Sequence, residues 1–439
     1  MSVSTKLSPA TDQGAQAQPS QSSKILDIQV LRGISILAVL ACHLSITPTV
    51  LSLLPVKVTL PLYLGVEIFF VVSGFVIVRS LINDGFSTPR FLVKRAFRLT
   101  PAVLVFLAIS AALNLLLRNM NLPDWPRGFF STNWDDFYRQ ASGVTYGYFL
   151  LLDGPKTYMN GAMWSLSVED QFYAVLALVC AGTVFAFGRR PGLVLAILFV
   201  GAISTYLAIL SLRFAVLARL DIVATTPWWF RYLVHWRFDF LALGVAIGLA
   251  LPLIQRRIVT TFQHAGNFLS PWLLILPFTV AAFCESPEAK RQPLLYGIGY
   301  PFAGVAFGLL VSLAATGRAF PFRDGLVYQT MVYLGNRSYS LYLLHFPVFV
   351  ITWLVTYWCF PMVFTNALAY GTSQLVLTVL ILLPLTEFVF RWVELPLTRF
   401  GPDLAMRMKE RSVSADESRT KARVRSNVVP AMVPARGAT

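Results

Sequence analysis

Charge is scarce in this chain: 13% of its 439 residues are Asp, Glu, Lys or Arg, against about 25% in soluble domains. That scarcity excludes an ordinary soluble domain. The four cysteines, Cys42, Cys180, Cys284 and Cys359, lie far apart, in or beside apolar segments. Neither a disulfide framework nor a zinc site is expected from them, and no metal is called for. Residues 1–23 lack the apolar core of a secretory signal and read instead as a disordered tail rich in Ser, Gln, Thr and Ala. Self-similarity between the two halves, the mark of many transporters, is not evident.

Apolar residues dominate: 56% of the chain is hydrophobic, and the mean hydropathy is +0.64. They gather in stretches of roughly 20 residues, the length that crosses a hydrocarbon core of about 30 Å as a helix. The expected fold is therefore all-α, a polytopic transmembrane bundle of about ten helices. The spans are placed near 28–50, 60–82, 99–118, 164–187, 191–211, 228–254, 269–285, 294–316, 338–359 and 371–393. Together they form one membrane domain over residues 24–402, followed by a basic, disordered tail over 403–439. The longest connection is 119–163, whose tract 143–152 reads as a re-entrant or interfacial piece. No soluble catalytic domain is expected, so chemistry must come from the spans and their loops.

The net charge of +15 suggests nucleic acid only until its placement is read. Basic residues sit beside apolar runs and follow the positive-inside rule. Arg90, Lys94, Arg95 and Arg98 follow span two, Arg189–Arg190 span four, Arg256–Arg257 span six, and Arg318 with Arg323 span eight. Every even-numbered exit is basic, which puts both termini in the cytoplasm and makes lipid, not nucleic acid, the partner.

Ionisable groups inside apolar spans cost roughly 2.5–3.5 kcal/mol each at a helix centre on insertion scales, so they are functional candidates. In span one, Arg32 and His43 are eleven residues apart, which returns to nearly the same helix face about 16 Å along. A neutral imidazole there can take a proton from a hydroxyl. The structural alternatives are a snorkelling Arg32 and a His43 that only binds a neighbouring helix. In span two, Glu67 lies in an aromatic-rich apolar run, where an unpaired carboxylate is expensive. Arg32 or His43 is its expected partner. Ser73 and Gly74 read as a packing surface. Arg90, Lys94, Arg95 and Arg98, four cations within nine residues, suit either topology or a phosphorylated ligand from the cytosol.

These motifs together resemble the acyltransferase-3 family. The resemblance rests on Arg-x10-His (Arg32, His43), Gly-Val-Glu-x-Phe-Phe-x-x-Ser-Gly-Phe (65–75) and Arg-x-x-Arg-x-x-Pro (95–101). It continues through Trp164 to Tyr173, Arg237-Phe238 with Gly244, and Gly335 through His345-Phe346-Pro347, and covers roughly residues 27–400. The family often has Asp where this chain has Glu67.

The resemblance implies transfer of an acyl group, acetyl in the simplest case, from cytosolic acyl-CoA to a sugar hydroxyl. It implies His43 as base, with Arg32 and Glu67 orienting it or holding the donor's polar end, and Lys94, Arg95 and Arg98 at the CoA phosphates. Trp164 and Glu169 would meet a sugar on the outer side, although an interfacial aromatic anchor explains Trp164 as well. Arg237 and His345 follow as substrate-binding candidates; His345 has the alternative of satisfying a backbone group freed by Pro347. The reading is a stand-alone O-acyltransferase of the bacterial inner membrane, with acyl-CoA as co-substrate, no bound cofactor, and a cell-surface or lipid-linked carbohydrate as acceptor. The alternatives are a proton-coupled transporter or flippase, and an acyltransferase acting on a lipid or small glycoside.

Overall fold

The computed structural model describes residues 25–46, 61–118, 120, 163–188, 190–219, 237–261, 266–284, 286, 292–320 and 323–408. Within them the fold is all-helical. The helices are α1 Leu26–Ile46, α2 Leu64–Asn83, α3 Thr88–Arg118, α4 Met163–Phe187, α5 Pro191–Arg219, α6 Phe238–Thr261, α7 Gly266–Cys284, α8 Pro293–Ala315, α9 Leu326–Asn336, α10 Ser338–Cys359 and α11 Ala367–Val389. Helix continues beyond α11 through one π-helical turn, Phe390–Glu394, as far as residue 408.

Nine helices among the described residues are long and apolar enough to cross a membrane. They match the expected spans except the seventh, where the apolar stretch Phe268–Cys284 is shorter. This is a multi-pass membrane protein. Three details differ from the expected layout. α3 starts at Thr88, ahead of the expected 99, so the basic segment forms its first turns. α9 is an additional helix of 11 residues, too short to register as a span. The sixth span begins at Phe238; residues 228–236 lie outside the described residues, as does the tract 143–152.

Packing of α2 against α6 organises the centre. A Cβ on Gly74 would strike the Leu241 carbonyl, and one on Gly244 the Val71 carbonyl. Each glycine admits the other helix's backbone, so the two axes approach as closely as small residues allow. The register is parallel, since Glu67 meets Arg237 and Val78 meets Gly248. Parallel packing accords with both being even-numbered spans. A second close approach, Gly33 against Met331 and Gly335 against Gln29, fixes α9 antiparallel on α1. Around these crossings, Leu31, Ile36, Ile68, Phe70, Phe75, Phe240 and Phe307 form the fully buried core. Exposed apolar side chains such as Phe185, Leu253 and Phe268 face outward, as a lipid-embedded surface requires.

The start of α1 is pinned separately. Asp27, fully buried, accepts hydrogen bonds from the Ala319 amide at 3.0 Å and the Tyr328 hydroxyl at 2.7 Å, and pairs with Arg323 at 3.2 Å. A carboxylate so satisfied bears its burial and sets the register of every group along α1.

Candidate active site

Two adjoining cavities share walls from α1, α2 and α3; α4 and α10 complete the smaller, and the end of α9 with residues 390–398 completes the larger. The smaller is lined by Arg32, Ser73, Arg95, Arg98, Glu169, Tyr173, Tyr339 and Tyr342 among others. The larger, about 680 Å³, shares Arg32, Arg95 and Arg98 and adds Arg79, Lys94 and Glu394. Three guanidinium groups therefore stand at the junction. Among the described residues, the buried Arg95 Nε has no hydrogen-bond partner. Lys94 is neutralised by Asp84. The larger cavity is strongly cationic, and an anion entering it would find charged donors gathered around it.

Local structure explains this concentration. Arg95 and Arg98 are three residues apart near the start of α3 and so share a face. Arg95 is also held over the rings of Phe91 and Tyr173, at 5.9 Å and 5.8 Å. The π-helical turn adds one residue to the helical register in the stretch where Phe390, Glu394 and Leu395 line the cavity. Ser340 Oγ donates to Glu394 at 2.6 Å.

Glu169 forms part of the smaller cavity's wall. It accepts from Ser73 Oγ at 2.8 Å and from the Tyr173 hydroxyl at 3.1 Å. The structure thus groups Glu169 with the arginines, away from Trp164. Ser73, expected only to pack, is a hydrogen-bond donor.

The two histidines meet. His345 Nε2 and His43 Nδ1 are 2.9 Å apart, with ring centroids 5.0 Å apart and ring planes within 14° of each other, so the rings meet edge to edge. His345 Nδ1 lies 2.5 Å from the Tyr342 carbonyl oxygen. Pro347 frees the carbonyl four residues back, which is that of Leu343, so His345 is not satisfying the group the proline leaves bare. His345 is fully buried and His43 only partly; the pair opens at His43. Tyr342 joins this pair to the cavity: its carbonyl faces His345, its ring lines the smaller cavity, and its hydroxyl is 2.6 Å from Ser165 Oγ.

Glu67 is elsewhere. Its expected partner was Arg32 or His43, but the structure pairs it with Arg237, because the parallel packing of α2 and α6 sets their first turns side by side. Arg237 also lies 5.5 Å over Trp164 and 5.7 Å over Tyr300. Arg213 stacks on the same tyrosine at 4.6 Å and bridges Asp239 at 2.9 Å. Trp164, Arg237 and Glu67 therefore belong to one buried charged and aromatic cluster, and Arg32, Arg95, Arg98 and Glu169 to another.

Sequence reasoning missed Arg79, Tyr173, Tyr342, Glu394 and the Arg213–Asp239 pair as members of these clusters. A charge within an apolar run could have marked Asp239 and Glu394. Nothing in the sequence marks a backbone carbonyl such as that of Tyr342. No group of three or more His, Cys, Asp or Glu suited to a metal occurs among the described residues.

Comparison with known proteins adds a separate line of argument. The model of the acyltransferase-3 family, described as an acyltransferase domain, matches residues 25–387. The chain is 24% identical over 394 residues to the peptidoglycan O-acetyltransferase OatA of Listeria monocytogenes, covering 85% of this chain and 56% of that protein. It is 23% identical over 360 residues to the O-acetyltransferase OatA of Staphylococcus aureus, covering 77% and 53%. The chain thus spans about half the length of the curated relatives it matches. No solved structure matches it.

Proposed function

The chain belongs to the acyltransferase-3 family, and from that premise we propose that it transfers an acyl group, acetyl in the simplest case, from acyl-CoA to a hydroxyl of a cell-surface or lipid-linked carbohydrate at the bacterial inner membrane. The observation that carries this reading is the placing of a cation-walled cavity and a histidine pair along one helix, α1. Arg32 lines the cavity and His43 lies eleven residues further on, about three turns and 16 Å. Donor phosphates would meet Arg32, Arg79, Arg95 and Arg98 near the cytoplasmic end. The donor's extended arm would then carry the thioester towards His43.

A thioester is already activated, so the protein must supply position, a base and a stabilised oxyanion. His43 takes the proton of the acceptor hydroxyl as its oxygen attacks the thioester carbonyl. A carbon–oxygen bond forms, the carbon–sulfur bond breaks, and the departing thiolate takes the proton from His43. The acceptor class is drawn from the relatives named above, one of which acts on peptidoglycan.

The test is mass spectrometry of surface and lipid-linked glycans from the wild type, a deletion strain, and that strain complemented with native protein or with His43→Ala. An acyl mass that disappears on deletion and returns only with native protein is the expected result. Unchanged glycans in every strain would remove the carbohydrate and favour a lipid acceptor.

A further inference from the structure

We infer that His345 is a positioning residue that fixes the tautomer of His43, leaving its Nε2 unprotonated and ready to accept the acceptor's proton. This rests on the reading of His43 as the base. A chain of contacts runs outward from the Tyr342 carbonyl through His345 to His43.

A carbonyl oxygen can only accept a hydrogen bond. With the Tyr342 oxygen 2.5 Å from His345 Nδ1, the proton of neutral His345 sits on Nδ1. Its Nε2 is then a lone pair, and that lone pair faces His43 Nδ1 at 2.9 Å. His43 must donate, so its own proton is on Nδ1 too. Neutral imidazole carries one proton, and His43 Nε2 is left bare. The order is forced by one backbone carbonyl, and it runs against the preference of a free histidine side chain for the Nε2–H form.

Burial makes the order persistent. His345 is fully enclosed, packed between Tyr342, Phe346 and Phe349, whose rings lie 5.6 Å, 4.5 Å and 5.5 Å away. Water cannot replace either hydrogen bond there, and rotating the ring would orphan both nitrogens, at about 1–3 kcal/mol for each unsatisfied group. Phe346 also closes on His43, at 4.7 Å. Both rings are held, and the His43 orientation is set from behind.

The arrangement serves both protonation states of His43. When Nε2 receives the hydroxyl proton, the Nδ1–H bond to His345 stays in place and shortens its path to charge assistance. When Nε2 passes the proton to the thiolate, the starting tautomer is restored without a ring flip. A buried histidine thus does the orienting work that a carboxylate does behind the base in serine hydrolases, without placing a fixed charge deep in the bundle, where it would be costly.

The test uses the full-length protein in lipid bilayers, labelled with 15N-histidine. The chain has only four histidines, and the His43→Ala and His345→Leu variants assign the two signals of interest. Nitrogen chemical shifts distinguish the two neutral tautomers. Both His43 and His345 are expected as Nδ1–H; a His43 that is Nε2–H in the wild-type protein overturns the inference with no variant needed. In kinetics, His345→Leu is expected to lower kcat roughly tenfold to a hundredfold with KM for acyl-CoA unchanged, less than the loss of the base itself would cost. His345→Gln, whose amide oxygen reaches where Nε2 was, is expected to recover most of that loss. Wild-type kcat in His345→Leu overturns the positioning role while leaving His43 as base. Full activity in His43→Ala overturns the base role of His43 on which the inference rests.

Discussion

Glu67, in the first turn of α2, and Arg237, immediately before α6, form an ion pair in which both side chains are buried. The pair is a product of helix packing: the glycines that let α2 and α6 touch also bring these two side chains together. Removing one partner strands a charge in a low-dielectric interior, at about 3–5 kcal/mol, whereas replacing both by apolar groups is often neutral. Glu67→Leu and Arg237→Met are each expected to lower thermal stability in detergent sharply. The double variant should regain most of the loss. Additive losses would show that each side chain acts alone.

The glycine crossing makes a steric prediction. Gly244→Val would drive a branched side chain into the backbone around Val71 and Phe75, and no rotamer change relieves a clash with backbone. Monodisperse folded protein should be lost, as judged by size-exclusion of the detergent extract. Gly201 has nothing within 4 Å of its added Cβ, so Gly201→Ala is expected to be neutral or stabilising, by up to about 1 kcal/mol.

The arginine cluster predicts a change in donor affinity. Arg95→Gln with Arg98→Gln is expected to raise KM for acyl-CoA by at least about tenfold, since each charge-assisted hydrogen bond contributes roughly 1.5–3 kcal/mol. The acceptor KM should hardly change. An unaltered donor KM would leave these residues with a topological role only.

His43→Ala is expected to reduce transfer from labelled acyl-CoA by about 10²–10⁴, the usual worth of a general base, with membrane insertion and size-exclusion profile intact. Turnover at the wild-type rate would refute the base assignment.

Ser73 bears on the reading of small residues. Adjacent Ser73 and Gly74 look alike as packing residues, yet Gly74 faces α6 and Ser73 donates to Glu169 of α4. Ser73→Ala should therefore cost about 1–3 kcal/mol, through a half-buried carboxylate that loses a donor. Gly74 tolerates no side chain for an unrelated reason. Adjacent positions on a helix point about 100° apart, so a dipeptide motif can serve two neighbours.

What the sequence determined by itself was the class of molecule and much of the cast. Long apolar runs can satisfy their backbone in a bilayer only as helices, so the spans, and the membrane, follow from composition and length. The expense of charge in such spans singled out Arg32, His43 and Glu67 in advance, and clustered cations singled out Arg95 and Arg98. Which of them meet was decided by tertiary structure alone. Periodicity gives the face a residue occupies on its own helix and nothing about the helix it faces, so Glu67 was free to pair with any buried cation. The glycine-mediated crossing chose Arg237, 170 positions away. It was likewise packing of α1 against α10 that joined His43 to His345 across 302 positions and set both against the Tyr342 carbonyl. A backbone acceptor is present at every residue, and only the fold makes one of them matter.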